Sequence, residues 1–121
     1  MLRIRSEQMR LLNRPLEVAF RKAVTEYLEA DFPAVCARLG PAGVAEMVED
    51  GIRRAGLRGF EFESDICEFI GLMAEFGTEF DRLDWAAAIL NEAGTPPPVK
   101  AGQLSGWAEA IRGLQGGRSG A

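Results

Sequence analysis

Apolar residues recur at steps of three and four along most of this chain, and a glycine or proline cuts each run after a few turns. That period belongs to a helix buried along one face. The punctuation keeps the helices short and turns the chain back between them. Such a sequence resolves into helices stacked around a shared apolar centre. We read it as all-α, a compact bundle of about five to seven short and medium helices in one domain over residues 1–115, with a flexible glycine-rich tail over 116–121.

The runs can be followed in order. Leu2 and Ile4 alternate with Arg3 and Arg5 as a short extended arm would. Ser6 is placed to cap a short helix carrying Met9 and Leu12, and Asn13-Arg14-Pro15 resets the chain. Leu16, Phe20, Ala23, Val24, Tyr27 and Leu28 form the clearest amphipathic helix. Pro33 opens a short helix with Val35, Cys36 and Leu39 inward, which Gly40 closes in the left-handed conformation. Pro41 begins another, with Val44, Met47, Val48, Ile52 and Ala55 on one face. Gly51 shares that face, where close helix packing would offset its poor helix propensity. Gly56 ends it.

A loop then leads to a strongly apolar helix bearing Phe62, Ile66, Phe69, Ile70, Met73 and Phe76, with Glu61 or Ser64 as its cap and Gly77 as its stop. A helix this apolar should sit centrally in the bundle. Asp84 caps the next, which runs from Trp85 to Ala93 before Gly94. Thr95-Pro96-Pro97-Pro98 reads as a stiff turn. The last helix sets Leu104, Trp107, Ala108, Ile111 and Leu114 on one side.

The 121 residues carry a net charge of −4 with a pI near 4.9, which disfavours a nucleic-acid partner. The basic stretch Arg3, Arg5, Arg10, Arg14, Arg21 and Lys22 is either a solvated face or a steering patch. No run reaches the length of a membrane span, and the start lacks the apolar core of a secretory signal, so a cytoplasmic chain is expected. Cys36 and Cys67 lack metal spacing and read as small inward residues with reduced thiols.

Histidine is absent, which removes the commonest general base and neutral metal ligand. The phosphate-cradling and dinucleotide glycine motifs are absent too. We therefore expect no enzyme, no cofactor and no metal. Two groups of acids stand against this: Glu61, Glu63, Asp65 and Glu68, and then Glu79, Asp81 and Asp84. Glu61, Asp65 and Glu68 have the spacing a metal-assisted enzyme would need, while acids at a helix start are also what the macrodipole favours.

Phe60, Phe62, Phe76, Phe80 and Trp85 gather around one helix and its flanking loops. Exposed and rimmed by acids, they would make a protein-binding hot spot and are the candidate partner-binding residues. Turned inward, they would be plain core.

Asp65-Ile66 to Leu72-Met73, Phe76-Gly77 to Phe80-Asp81 and Trp85-Ala86 to Ile89-Leu90 follow one another in a recognisable pattern. Together with the Leu-Arg-Ile-Arg start, the Phe32-Pro33 break and the Gly51-Ile52 helix, this resembles a family of short bacterial helical accessory proteins encoded near type VI secretion spike and effector components. The resemblance covers the chain to about Leu90; the triple proline and glycine-rich ending depart from it. It implies no catalytic residues. It implies a non-catalytic protein-binding role as an adaptor or co-chaperone, with an effector, toxin or spike-loading component as partner. The alternative is an immunity protein that neutralises a toxin by direct binding, and a homodimer stays open.

Overall fold

The computed structural model describes the backbone over residues 13–120 and the side chains over residues 18–115. The arm at residues 1–5 and the Ser6-capped helix lie outside the described residues. Five α-helices and one 3-10 turn make up the rest, and the fold is all-α.

Helix α1 (Asn13–Asp31) buries Val24 and Leu28, with Phe20 and Tyr27 packed beside them. Ala23, expected inward, is exposed, because the stripe that meets α2 and α3 is narrow and centres on Val24 and Leu28. Pro33 disfavours helix at the preceding residue, and Phe32 leaves the helix with φ −132° and ψ 56°.

Helix α2 (Pro33–Leu57) joins the two helices expected on either side of Gly40. It is kinked at Gly40, where φ is 75° and ψ 167°. The φ is positive as expected. The ψ is extended rather than left-handed helical, because Pro41 excludes helical backbone before it. Gly56 does not end this helix; it runs on to Leu57, and the reversal falls at Gly59, with φ 88°.

Helix α3 (Glu63–Phe76) is the centre of the molecule. Ile66, Phe69, Ile70, Leu72, Met73 and Ala74 are all buried. Neither Glu61 nor Ser64 caps it: the cap position is Phe62, without a side-chain bond. Glu63 and Asp65 instead place charge in the first turn, against the positive end of the helix. Gly77 stops it with φ 108°, as its position suggested.

A 3-10 turn (Phe80–Arg82) leads to α4 (Asp84–Leu90). Asp84 lies in the first turn and Leu83 holds the cap position, so Asp84 is not the cap. The helix stops at Leu90 rather than Ala93, and Lys100 Nζ donates to the Leu90 carbonyl at 2.7 Å. That carbonyl belongs to the last turn, which lacks helical donors of its own.

Helix α5 (Pro97–Gly120) takes in the last two of the three prolines. Pro97 and Pro98 occupy its first turn, where a missing N–H leaves no bond unmade. The Val99 and Lys100 amides donate to the Pro96 carbonyl at 3.0 and 3.1 Å. The helical backbone continues through residues expected to form a tail, as far as Gly120.

The helices sort into two flanks. Helices α1 and α2 pack on each other and on α3. Helix α5 packs on α3 and α4, and the 3-10 turn ties α4 to α3. Among the described residues no charged or polar side chain is buried, so apolar packing alone fills the core.

Two glycines make the first flank tight. A Cβ on Gly51 of α2 would stand 2.5 Å from Ile70 Cγ1, and one on Gly71 of α3 would stand 2.5 Å from Tyr27 Oη. Each glycine lets a neighbouring side chain reach the helix backbone.

Candidate protein-binding groove

The five aromatics singled out in the sequence do not form one group. Phe60 and Phe80 are buried and pack on Phe69 of α3, with ring centroids 6.0 and 4.9 Å away. They are core, because the loops at 58–62 and 77–83 fold inward over α3. A surface anchor role for these two is corrected accordingly. Phe62 is half-buried at the start of α3, where its carbonyl accepts the Asp65 and Ile66 amides at 3.0 Å.

Phe76 and Trp85 do meet, at 5.4 Å and 74°, and a third ring joins them. Trp107 of α5 stacks on Trp85 at 6.4 Å with the planes 21° apart. The column thus runs from the end of α3 across α4 to α5. Trp107 is 53% exposed.

Trp107 was expected on the inner face of the last helix. That face is narrower than its apolar spacing implied. Ala101, Leu104 and Ala108 are buried, Ile111 is partly so, and Leu114 is 69% exposed. One signal in the sequence could have flagged Trp107. Gly106 stands beside it and Ala110 one turn on, and residues that small leave that side of the indole uncovered.

The Trp85–Trp107 stack lies in an open groove between α4 and α5 with a volume of about 960 Å³. Ala88 and Ile89 continue the α4 wall; Gly106 and Ala110 flatten the α5 wall. The charged residues lining it are Asp84 and Glu92, both exposed. Neither makes an ion pair among the described residues.

Of the acids expected to cluster, Glu79, Asp81 and Asp84 are drawn to different partners. Asp81 accepts from Arg54 Nη2 at 2.5 Å and lies 3.9 Å from Arg58 Nη2. Glu79 pairs with Arg82 at 3.2 Å, and Asp84 reaches the groove. Burial, then the Glu68 charge, raises the Asp65 carboxyl above its ordinary range. Among the described residues no three of histidine, cysteine, aspartate and glutamate converge as a metal site would require.

Arg54 is the residue the sequence concealed. It also donates to Asp50 at 3.0 Å and to the Thr78 carbonyl at 2.7 Å, and lies 5.9 Å from the Phe69 ring centroid. One guanidinium thereby fixes α2 to the segment that carries Phe80. Both cysteines are free and half-buried, packed against the core rather than within it. Burial raises both thiols, helped by Glu29 at Cys36 and by Glu68 and Asp31 at Cys67.

No family model, curated protein or solved structure matches this chain. Among the described residues no helix is long and apolar enough to cross a membrane.

Proposed function

We propose that this chain is a non-catalytic protein-binding accessory that holds its partner in the groove between α4 and α5. The observation that carries the reading is the stacked Trp85–Trp107 pair, half of whose second ring faces solvent in an apolar channel. Tryptophan concentrates binding energy because it offers a large rigid face at low entropic cost. Apolar walls with charge confined to the rim are the anatomy of an interface. Phe76 supports Trp85 from below, so of the five sequence candidates Phe76 and Trp85 keep a role here, and Trp107 joins them.

The family resemblance in the sequence supplies the setting we propose: an adaptor or co-chaperone for a type VI secretion effector or its loading partner. The acids on the groove favour a second reading, an immunity protein that covers a basic toxin surface.

The test is crosslinking in the native host, with the unchanged chain and Trp107→Ala compared as baits. A partner held by the first and lost from the second supports the groove. Equal retention by both moves binding elsewhere and overturns it. Co-expression with that partner separates the roles: an immunity protein protects cells from a toxin, and an adaptor promotes export.

A further inference from the structure

We infer that the occupant of the α4–α5 groove is an amphipathic α-helix of another protein whose apolar stripe is flanked by lysine or arginine. This rests on the groove being a protein-binding site and goes on to specify the chemistry of what binds there.

Three observations lead to a helix with basic flanks. The first is the shape of the α5 wall. Gly106 and Ala110 stand four residues apart and both line the groove. A Cβ on Gly106 would meet nothing within 4 Å, and the same holds for Gly102 and Gly113 on this helix. The buried glycines Gly51 and Gly71 each have a side chain of a neighbouring helix against them. Gly106 has the same smooth backbone with nothing yet seated on it. A glycine and an alanine one turn apart admit another helix at close range.

The second is the lack of an alternative main-chain mode. Strand addition needs an exposed sheet edge. The described residues contain no strand, and two helices form the groove walls. A helix satisfies its own backbone bonds and presents only side chains, so it can lie between α4 and α5 and cover the indoles.

The third is charge. Asp84 at the start of α4 and Glu92 just beyond its end are the charged residues on the groove. Arg112 is paired with Glu75 at 2.6 and 2.8 Å, Arg82 with Glu79 at 3.2 Å and Arg58 with Asp81 at 3.9 Å, while Lys100 is turned to the Leu90 carbonyl and does not line the groove. A basic flank on the incoming helix is complementary to this rim, and an acidic flank is repelled. The same rim disfavours a second copy placed groove to groove, because like charges would then face each other.

The test uses two stapled 15-residue helices sharing one leucine stripe at i, i+3, i+4 and i+7, one flanked by lysine and its twin by glutamate. The chain's two tryptophans both line the groove, so indole fluorescence of the full chain reports occupancy there. The lysine helix is expected to bind on the order of tenfold or more tighter than its twin, with the preference fading in salt. Asp84→Asn with Glu92→Gln should erase the preference and leave residual apolar binding. Gly106→Leu should block both peptides while leaving the circular dichroism of the fold intact, since that position has open space. Equal affinity for both helices overturns the charge inference and leaves the groove as a binding site. Failure of both to change the fluorescence overturns the helical occupant. If a basic protein lacking an apolar helix still quenches both indoles, the groove binds proteins in another mode. Concentration-dependent dimerisation abolished by Gly106→Leu would assign the groove to a second copy and overturn the inference.

Discussion

The two flanks of α3 use glycine in opposite ways. On the α1–α2 flank, Gly51 and Gly71 are filled: Ile70 and the Tyr27 hydroxyl occupy the space a methyl would need. On the α5 side, Gly102, Gly106 and Gly113 have open space where a side chain could stand. Glycine within a helix costs about 1 kcal/mol relative to alanine. The first flank recovers this through close packing inside the molecule. The second shows no such packing among the described residues. Ion pairs brace both flanks, but not the groove itself. Arg54 locks α2 to the 3-10 segment, Arg21 pairs with Glu49 between α1 and α2, and Arg112 of α5 pairs with Glu75 of α3, whereas Asp84 and Glu92 on the groove make no ion pair among the described residues.

The sharpest way to break this comparison is to place side chains on both kinds of glycine. Gly51→Leu should destabilise the fold by about 3 kcal/mol or more, because the Ile70 side chain it meets is itself fully buried. Chemical denaturation measures this; a loss below about 1 kcal/mol would mean that the flank is not tightly closed.

Arg54→Ala comes next, with an expected loss of about 2 kcal/mol. It leaves Asp81, whose side chain is only 12% exposed, with Arg58 at 3.9 Å as its remaining cation, and frees the Thr78 carbonyl. The matched loss in an Arg54→Ala/Asp81→Ala pair should be smaller than the sum of the singles.

Tyr27 provides a pH test of the closed flank. Burial, followed by the charges of Cys67, Glu68, Asp31 and Glu75, pushes its phenol up to about 12 from 10.0. The folded value lies above the unfolded one, so the native state favours the neutral phenol. The resulting stability is whole below pH 10 and is lost as pH rises toward 12. Tyr27 is the only tyrosine, so phenolate absorbance follows it without overlap. Ionisation near the ordinary value in the folded chain would show that the Gly71 contact is loose.

The smallest effect has the opposite sign. Gly102→Ala and Gly106→Ala should each stabilise the chain by about 0.5–1 kcal/mol, since nothing opposes the added methyl. Thermal melts of the two variants test it. Destabilisation at either position would place an internal neighbour there and close the open flank.

Much of this arrangement is legible before any coordinates. The spacing of Ile66, Phe69, Ile70 and Met73 marks α3 as central, and Gly77 marks its end. Gly51 on an apolar face announces close packing, which Ile70 supplies. Helix boundaries are less legible, because several residues in a row can play the terminal role. Asp84 and Ser64 are good caps by type, yet Leu83 and Phe62 hold the cap positions, where burial of neighbouring residues fixes the chain. The groove was half legible: Phe76 and Trp85 were named, Trp107 was assigned to the interior, and Phe60 and Phe80 to a possible surface.

Periodicity and punctuation alone determined that this protein is all-α, which helix would lie at its centre and where one glycine would be covered. Both follow from local rules: the helical repeat acts over a few residues, and proline and glycine act on their own backbone. Only the tertiary structure decided which aromatic rings the core absorbs and which it leaves outside. That choice depends on how far the loops fold over α3 and how α4 meets α5, distances set by packing between residues remote in sequence. An apolar stripe states that a face seeks cover, and the fold decides whether the chain itself provides it.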